Sequence, residues 1–131
     1  MAERETSAAL SGRRILVVED EAIVALWLAD VLAIAGAVVI GPTGSVREAL
    51  VLAERESLDC AVLDYKLPDG TTAPVADLLA ARDVPFVFAT GYDVGPLDPK
   101  YLDRPRVEKV FATEELLRAI LSVLPPHAPT D

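Results

Sequence analysis

Polar residues follow three apolar runs of the sequence, a lysine lies in a fourth short segment, and these residues are of the types that phosphoryl transfer requires. They are Glu19-Asp20-Glu21, Asp64, Thr90-Gly91 and Lys109. Carboxylates a few ångströms apart repel one another unless a cation lies between them, and Mg²⁺ prefers such oxygen ligands. An aspartate is also a competent nucleophile toward phosphorus. If Asp20 and Asp64 converge, the pattern therefore predicts Mg²⁺-dependent phosphoryl transfer to a carboxylate.

The remaining two sites fit the same chemistry. The ammonium of Lys109 and the hydroxyl of Thr90 would hold oxygens of the phosphoryl group, whose charge the metal ion also offsets. Gly91 has no side chain, so the backbone there can approach the phosphoryl group closely. Each residue alone is typical of an ordinary loop or surface, and the prediction depends on their occurring together.

The elements that must position these residues alternate in type along the chain. Short apolar runs rich in β-branched residues predict strands, and the segments between them predict helices. We expect strands at 15–18, 38–40, 60–63, 86–89 and 107–111, and helices at 21–35, 45–56 and 113–124, with residues 77–82 inside a further helix. This alternation is typical of a doubly wound α/β fold, a parallel sheet with helices on both faces. Ligands of such sheets bind at the carboxyl ends of the strands, where the polar residues stand.

Composition argues against several other kinds of protein. The 131 residues carry a formal net charge of −9, which disfavours sequence-independent binding of nucleic acid. A single cysteine, Cys60, excludes an internal disulfide and multi-cysteine metal sites. The most apolar segment, residues 22–37, is shorter than the roughly 20 residues of a membrane span. Since the polar start lacks a signal peptide, we expect a cytoplasmic protein without nucleic-acid or membrane partners.

Taken together, the motifs resemble those of response-regulator receiver domains of bacterial two-component signalling. The resemblance covers residues 13–124 and rests on Glu19-Asp20-Glu21, on Asp64 followed by Leu67-Pro68-Asp69-Gly70, on Ala89-Thr90-Gly91 and on Lys109. It implies a five-stranded sheet in the flavodoxin-like order 2-1-3-4-5, with Asp64 as the phosphoacceptor. The implied ligands of Mg²⁺ are Asp20, Asp64, the backbone carbonyl of Lys66 and, often through water, Glu19. The implied contacts of the aspartyl phosphate are Thr90 and Lys109.

The implied function is that of a single-domain response regulator. It would take a phosphoryl group from a histidine kinase or a histidine phosphotransfer protein, and then signal to a downstream protein partner or act as a phosphate sink. Its chemistry would be limited to Mg²⁺-dependent self-phosphorylation and self-dephosphorylation, so we do not expect an enzyme in the usual sense. We expect a monomer or a weak dimer.

Three positions refine or depart from the receiver pattern. Residues 85–92 are similar to a receiver subgroup named for its Phe-Ala-Thr-Gly-x-Tyr signature, although Tyr92 stands one position early. Val110 replaces the proline that usually follows the lysine, and Val107 replaces an aromatic residue that often takes part in switching. Tyr92 is a candidate to take over that switching role, and a tyrosine packed on a loop is the equal alternative.

Other functions stay open at this point. A receiver fold that binds partners without phosphorylation is compatible with Val110. A hydrolase of the haloacid-dehalogenase kind also uses an aspartate nucleophile, but it requires a second aspartate where this chain has Lys66. Flavin binding would require a phosphate-binding loop after the first strand, which the sequence does not contain.

The ends, one connection and the first helix complete the predicted organisation. We expect flexible tails at residues 1–11 and 125–131 around a receiver domain at 12–124. Prolines and glycines between the fourth and fifth strands predict a fourth helix that is short or disordered, with a helical turn near 99–102. The first helix is apolar almost all round, so either alanines fill its outer side or Trp27 or Leu28 lies on an exposed docking patch.

Overall fold

A five-stranded parallel sheet forms the centre of the fold. The structure, a computed structural model, describes residues 9–91, 99–101, 103–109 and 111–125. The strands of the sheet are β1 (Arg14–Val18), β2 (Val38–Thr43), β3 (Cys60–Leu63), β6 (Phe86–Thr90) and β7 (Arg106–Glu108). Their order is β2-β1-β3-β6-β7, and β4 (Lys66–Leu67) and β5 (Gly70–Thr71) form a separate antiparallel ribbon. With the ribbon set aside, this is the predicted order 2-1-3-4-5.

The inner strands are apolar on both faces, which is why they lie inside the sheet. In β1, Ile15 and Val17 point into one core cluster, while Leu16 and Val18 point into the other. A strand that buries both sets of side chains needs a helix layer above and below it. The continuous apolar runs therefore specify a three-layer arrangement as well as strand identity.

Four α-helices cover the sheet within the described ranges. They are α1 (Ala22–Ile34), α2 (Val46–Arg55), α3 (Ala73–Ala81) and α4 (Thr113–Val123). Helices α1 and α4 pack on one face of the sheet, for example through Leu32 and Leu116. Helices α2 and α3 pack on the other face, for example through Ala49 and Leu79. The prediction of helices on both faces is confirmed.

The connection between β6 and β7 contains a short helical turn. A 3₁₀ helix spans Pro99–Tyr101, in agreement with the predicted short fourth helix. Tyr101 is buried, and its ring packs edge-on against Phe86 with the ring centroids 5.4 Å apart. Residues 92–98 and Leu102 lie outside the described residues.

Several element boundaries differ from their predicted positions. Strand β2 does not end before Gly41-Pro42 but continues to Thr43, because a bulge lets Val18 of β1 pair with Thr43. The helix predicted to include residues 77–82 spans Ala73–Ala81, with Pro74 in its first turn, where a proline is well tolerated. The last strand ends at Glu108 and leaves Lys109 directly after it, while Val110 lies outside the described residues.

The packed chain begins earlier than the predicted domain start at residue 12. Leu10 is fully buried in the core beside α1 and α4, and its amide donates to the carbonyl of Ala35 at 2.8 Å. The predicted flexible tail at 1–11 is therefore wrong for Leu10. Residues 1–8 and 126–131 of the two predicted tails lie outside the described residues.

Helix α1 buries one apolar face and exposes another. Leu28 is 1% exposed, so the expectation that it could form an exposed patch is wrong, whereas Trp27 is 37% exposed. The outer side carries Ile23, Leu26 and Ile34 as well as alanines, so alanines alone do not fill it. Among the described residues, no helix combines the length and the apolarity that crossing a bilayer requires.

Candidate functional site

The carboxyl ends of four strands bring the predicted site residues to one edge of the sheet. Asp64 follows β3, and its amide donates to the carbonyl of Val18 at the end of β1, at 2.9 Å. Thr90 ends β6, and its carbonyl accepts from the amide of Lys109 at 2.8 Å. Parallel pairing of the strands thus aligns residues that are far apart in the sequence.

Three carboxylates form an acidic cluster at this edge. Oxygen atoms of Glu19, Asp20 and Asp64 lie within 4.8 Å of one another. Glu19 and Asp64 are buried, while Asp20 is exposed to solvent. Because hard oxygen donors at this spacing suit a small divalent cation that keeps part of its water shell, the cluster could hold a metal ion.

Lys109 lies against the same carboxylates. Its Nζ is 2.7 Å from Oε1 of Glu19 and 3.1 Å from Oδ2 of Asp64. The exposed carboxylate of Glu21 also reaches it at 3.2 Å. No role was predicted for Glu21, although its place in the acidic triplet was a signal for it. Residues 20, 64 and 109 are therefore brought together as predicted.

In the closest ion pair, Glu19 and Lys109, burial shifts each pKa in one direction and the opposite charge of the partner shifts it in the other. Burial raises the pKa of Glu19, although hydrogen bonds from Lys109 and from the Glu21 amide oppose this shift. Burial alone would lower the pKa of Lys109, but the hydrogen bond to Glu19 and the charge of Asp64 outweigh it, and the pKa of Lys109 is raised. Lys109 is therefore an ammonium at any physiological pH.

Thr90 presents a buried hydroxyl at the same edge. Thr90 is fully buried, and in the described part of the chain its Oγ1 has no hydrogen-bond partner. A buried hydroxyl left in that state destabilises a fold unless a ligand or water satisfies it. Gly91 follows directly and is half-buried, so the backbone beside the hydroxyl carries no side chain.

The remaining residues considered in the sequence lie in different surroundings. Lys66 begins the β4–β5 ribbon two positions after Asp64, and its side chain is exposed. Val107 is buried in the core on the α1 and α4 side. Tyr92 and Val110 lie outside the described residues. Cys60, the first residue of β3, is buried, and burial raises the pKa of its thiol to about 12, as expected of an inert core residue.

Comparison with known proteins decides the family. The chain is 40% identical to SdrG from Sphingomonas melonis Fr1, over 88% of this chain and 96% of SdrG, with a TM-score of 0.76 between the structures. It is similar in fold to the receiver domain of the sensor histidine kinase PA1611 from Pseudomonas aeruginosa PAO1, at 23% identity, a TM-score of 0.72, and coverage of 82% of this chain and 93% of that one. The chain belongs to the response-regulator receiver family.

A curated relative agrees with this membership. The receiver domain is 32% identical over 113 residues to the transcriptional regulatory protein PdtaR of Mycobacterium tuberculosis, a match that covers 82% of this chain. The chain spans about half the length of that relative, 55%. No protein-family model matches the chain. Receiver domains are signalling domains of two-component systems, and the chain belongs to this family.

Proposed function

We propose that this receiver domain accepts a phosphoryl group on Asp64 from a phosphorylated histidine in a Mg²⁺-dependent reaction. The donor would be a histidine kinase or a histidine phosphotransfer protein. The observation that carries the proposal is the approach of the Lys109 ammonium to 3.1 Å from Asp64 Oδ2, beside a second and a third carboxylate. This arrangement pairs a nucleophile with the charges that phosphoryl transfer needs.

The acidic cluster is the proposed site of the metal ion. Asp20 and Asp64 would be direct ligands, Glu19 would act beside them through water, and the carbonyl of Lys66 would complete the protein ligands. A magnesium ion bound in the active-site cleft of the PA1611 receiver domain supports this assignment. When bound, Mg²⁺ would offset negative charge on the phosphoryl oxygens.

The reaction is an in-line exchange of one bond to phosphorus for another. A carboxylate oxygen of Asp64 forms the new P–O bond while the P–N bond of the phosphohistidine breaks, and the electron pair stays on the imidazole nitrogen. Lys109 is already within hydrogen-bond distance of Asp64, so its ammonium can hold a phosphoryl oxygen without leaving the site. The Thr90 hydroxyl would donate to another oxygen, and the bare backbone at Gly91 would leave room for it.

Phosphorylation would be read out by protein contact. The proposed output is binding of a downstream protein, or simple removal of phosphoryl groups from the donor as a phosphate sink. Nucleic acid and membranes are not proposed partners, and the protein would act in the cytoplasm as a monomer or weak dimer. The proposed receiver domain extends from residue 12 to residue 124, with Leu10 packed against it.

A second candidate is a receiver-like module that binds its partner without phosphorylation. Val110 after the lysine favours it, because the usual proline helps to shape the turn that holds that lysine in receivers. Val107 favours it too, since a buried valine cannot act as an aromatic switch. We also propose membership of the Phe-Ala-Thr-Gly-x-Tyr subgroup and a switching role for Tyr92.

The test is incubation of the full chain with acetyl phosphate and Mg²⁺, followed by intact-mass measurement. We expect one acid-labile phosphoryl group on the wild type, and none on Asp64→Asn or after chelation of Mg²⁺. Asp30→Asn, which changes an exposed aspartate on α1, should be phosphorylated like the wild type. No adduct on the wild type, with binding of the kinase retained, would favour the second candidate instead.

A further inference from the structure

The junction between β2 and α2 contacts the loop that carries Glu19 and Asp20. The carbonyl of Thr43 accepts from the amide of Glu19 at 2.8 Å. Gly44 lies directly against the next residue: a Cβ atom at position 44 would stand 2.8 Å from Cα and 3.0 Å from Cβ of Asp20. Since the first of these atoms is backbone, no side chain fits at Gly44 unless the chain at Asp20 moves.

The same junction holds the loop that follows Asp64. The carboxylate of Asp69, in the turn between β4 and β5, accepts from the amides of Val46 at 2.9 Å and Arg47 at 3.4 Å. It also accepts from the hydroxyl of Ser45 at 3.1 Å. These amides belong to the first turn of α2, where a helix leaves its N–H groups without partners of its own. A residue from the phosphoacceptor loop therefore caps the helix.

The loop between Asp64 and α3 is tied at its far end as well. The hydroxyl of Thr72 donates to the carbonyl of Asp64 at 2.8 Å, and the amide of Thr72 donates to the carbonyl of Tyr65 at 2.8 Å. With Thr72 fixed at one end and Asp69 bonded to α2, the segment that contains Lys66 has little freedom. Residues 43–47 thus touch both loops that supply the acidic cluster.

We propose that the β2–α2 junction, residues 43–47, sets the distance between the Asp20 loop and the Asp64–Lys66 loop, which together form the cation site. The positioning residues are Gly44 in the junction and Asp69 in the turn between β4 and β5. Gly44 lets the Asp20 loop lie close to the junction, and Asp69 fastens the Asp64–Lys66 loop to it. Neither residue would be a ligand of the cation, and both would act through the carboxylates and the carbonyl that bind it. This inference rests on the proposed Mg²⁺-binding function of the acidic cluster.

The alternative to a positioning role is that Asp69 has a purely structural role. If Asp69 only stabilised α2, its loss would lower the melting temperature and leave the affinity of the folded protein for Mg²⁺ unchanged. Loss of a residue that orients metal ligands typically weakens metal binding by about 10-fold or more. Affinity measured well below the melting temperature is therefore the discriminating quantity.

The experiment titrates the full chain with Mg²⁺ by isothermal calorimetry. We expect Gly44→Ala and Asp69→Ala each to weaken binding about 10-fold. Asp69→Asn keeps an oxygen acceptor for the Val46 amide and should recover most of the affinity. Ile120→Val, a core change on α4 away from the junction, should lower the melting temperature without changing the affinity. In the metal-free protein, Asp69→Ala should also speed amide exchange at Val46 and Arg47.

The outcomes separate this inference from the proposed function. If the wild type binds Mg²⁺ and Asp69→Ala binds it with unchanged affinity, or with no greater loss of affinity than Ile120→Val, the inference is overturned and the proposed function stands. A wild type that binds no Mg²⁺ overturns both. Should Gly44→Ala fail to fold, Asp69→Ala still decides the question, because it removes surface atoms and adds none to the interior.

Discussion

Thr90 carries a buried hydroxyl that a bound ligand or a water molecule would satisfy. Its buried hydroxyl has no hydrogen-bond partner in the described residues, and valine has nearly the same shape without the polar group. We predict that Thr90→Val raises the free energy of unfolding of the metal-free protein by about 1 kcal/mol, as measured by urea denaturation. The same variant should be phosphorylated more slowly by acetyl phosphate. A destabilised Thr90→Val protein would mean that the hydroxyl has a partner in the free state.

Lys109 is the positive charge that lets three carboxylates share one edge of the sheet. We predict that Lys109→Met lowers the free energy of unfolding at neutral pH by about 2 kcal/mol, because Glu19 and Asp64 lose their counter-charge while buried. Lys66→Met, at an exposed lysine, is the matched control and should change stability little. Equal losses of unfolding free energy in the two variants would show that the Lys109 charge does not stabilise the buried carboxylates.

The pH dependence of that stabilisation follows from the sign of the shift. The pKa of Lys109 is raised in the folded protein, so the folded state binds this proton more tightly than the unfolded state. Its contribution is fully present below the pKa of an unfolded lysine, about 10.4, and is lost as the pH rises through the folded pKa. The stability gap between wild type and Lys109→Met should therefore persist at neutral pH and narrow only in strong alkali.

Among the elements, α1 offers a clean comparison between two leucines. Leu28 is 1% exposed and Leu26 is 67% exposed, two positions apart on the same helix. We predict that Leu28→Ala costs about 3 kcal/mol of unfolding free energy, whereas Leu26→Ala changes it by less than about 0.5 kcal/mol. Urea denaturation of both variants measures this directly. Similar losses would mean that the outer apolar side of α1 is covered in the free protein.

Comparison of the strands shows where local sequence patterns predict an element correctly and where they do not. Strand β3 was predicted at its observed bounds because its four residues are all apolar and buried, so local pattern and tertiary environment agree. Strand β2 was predicted too short, since Gly41-Pro42 normally ends a strand and only pairing with β1 carries the chain through to Thr43. The β4–β5 ribbon was not predicted at all, because two-residue strands have no periodicity to detect.

The same limit applies to the candidate site. Residues 20, 64 and 109 could be predicted to meet, because Asp20 and Asp64 follow predicted strands, Lys109 lies in the last one, and these strand ends share one edge of a parallel sheet. The contact between Asp69 and α2 could not be predicted, since it joins a turn to a helix 22 to 24 positions away with no repeating pattern. Likewise the need for glycine at 44 comes from its contact with Asp20, not from its own neighbours in sequence.

For the whole molecule, binding of the metal ion and stability of the fold are linked. A cation that binds only the folded state stabilises it by an amount set by its concentration relative to Kd, about 2.7 kcal/mol at 100-fold excess. We predict that Mg²⁺ raises the melting temperature of the wild type, and that Asp20→Asn loses this increase while Asp30→Asn keeps it. A thermal-shift titration with Mg²⁺ measures the effect. An equal shift in all three proteins would indicate binding elsewhere on the acidic surface.

The phosphoacceptor itself can be identified by chemical trapping. An acyl phosphate is reduced by borohydride to an alcohol with release of phosphate, so a phosphorylated aspartate becomes homoserine. Treatment of the protein with acetyl phosphate and Mg²⁺, then borohydride, followed by peptide mapping, should place homoserine at position 64 and at no other aspartate. Homoserine at another position, or none while the protein still binds its histidine kinase, would contradict the assignment of Asp64 as the residue that carries the signal.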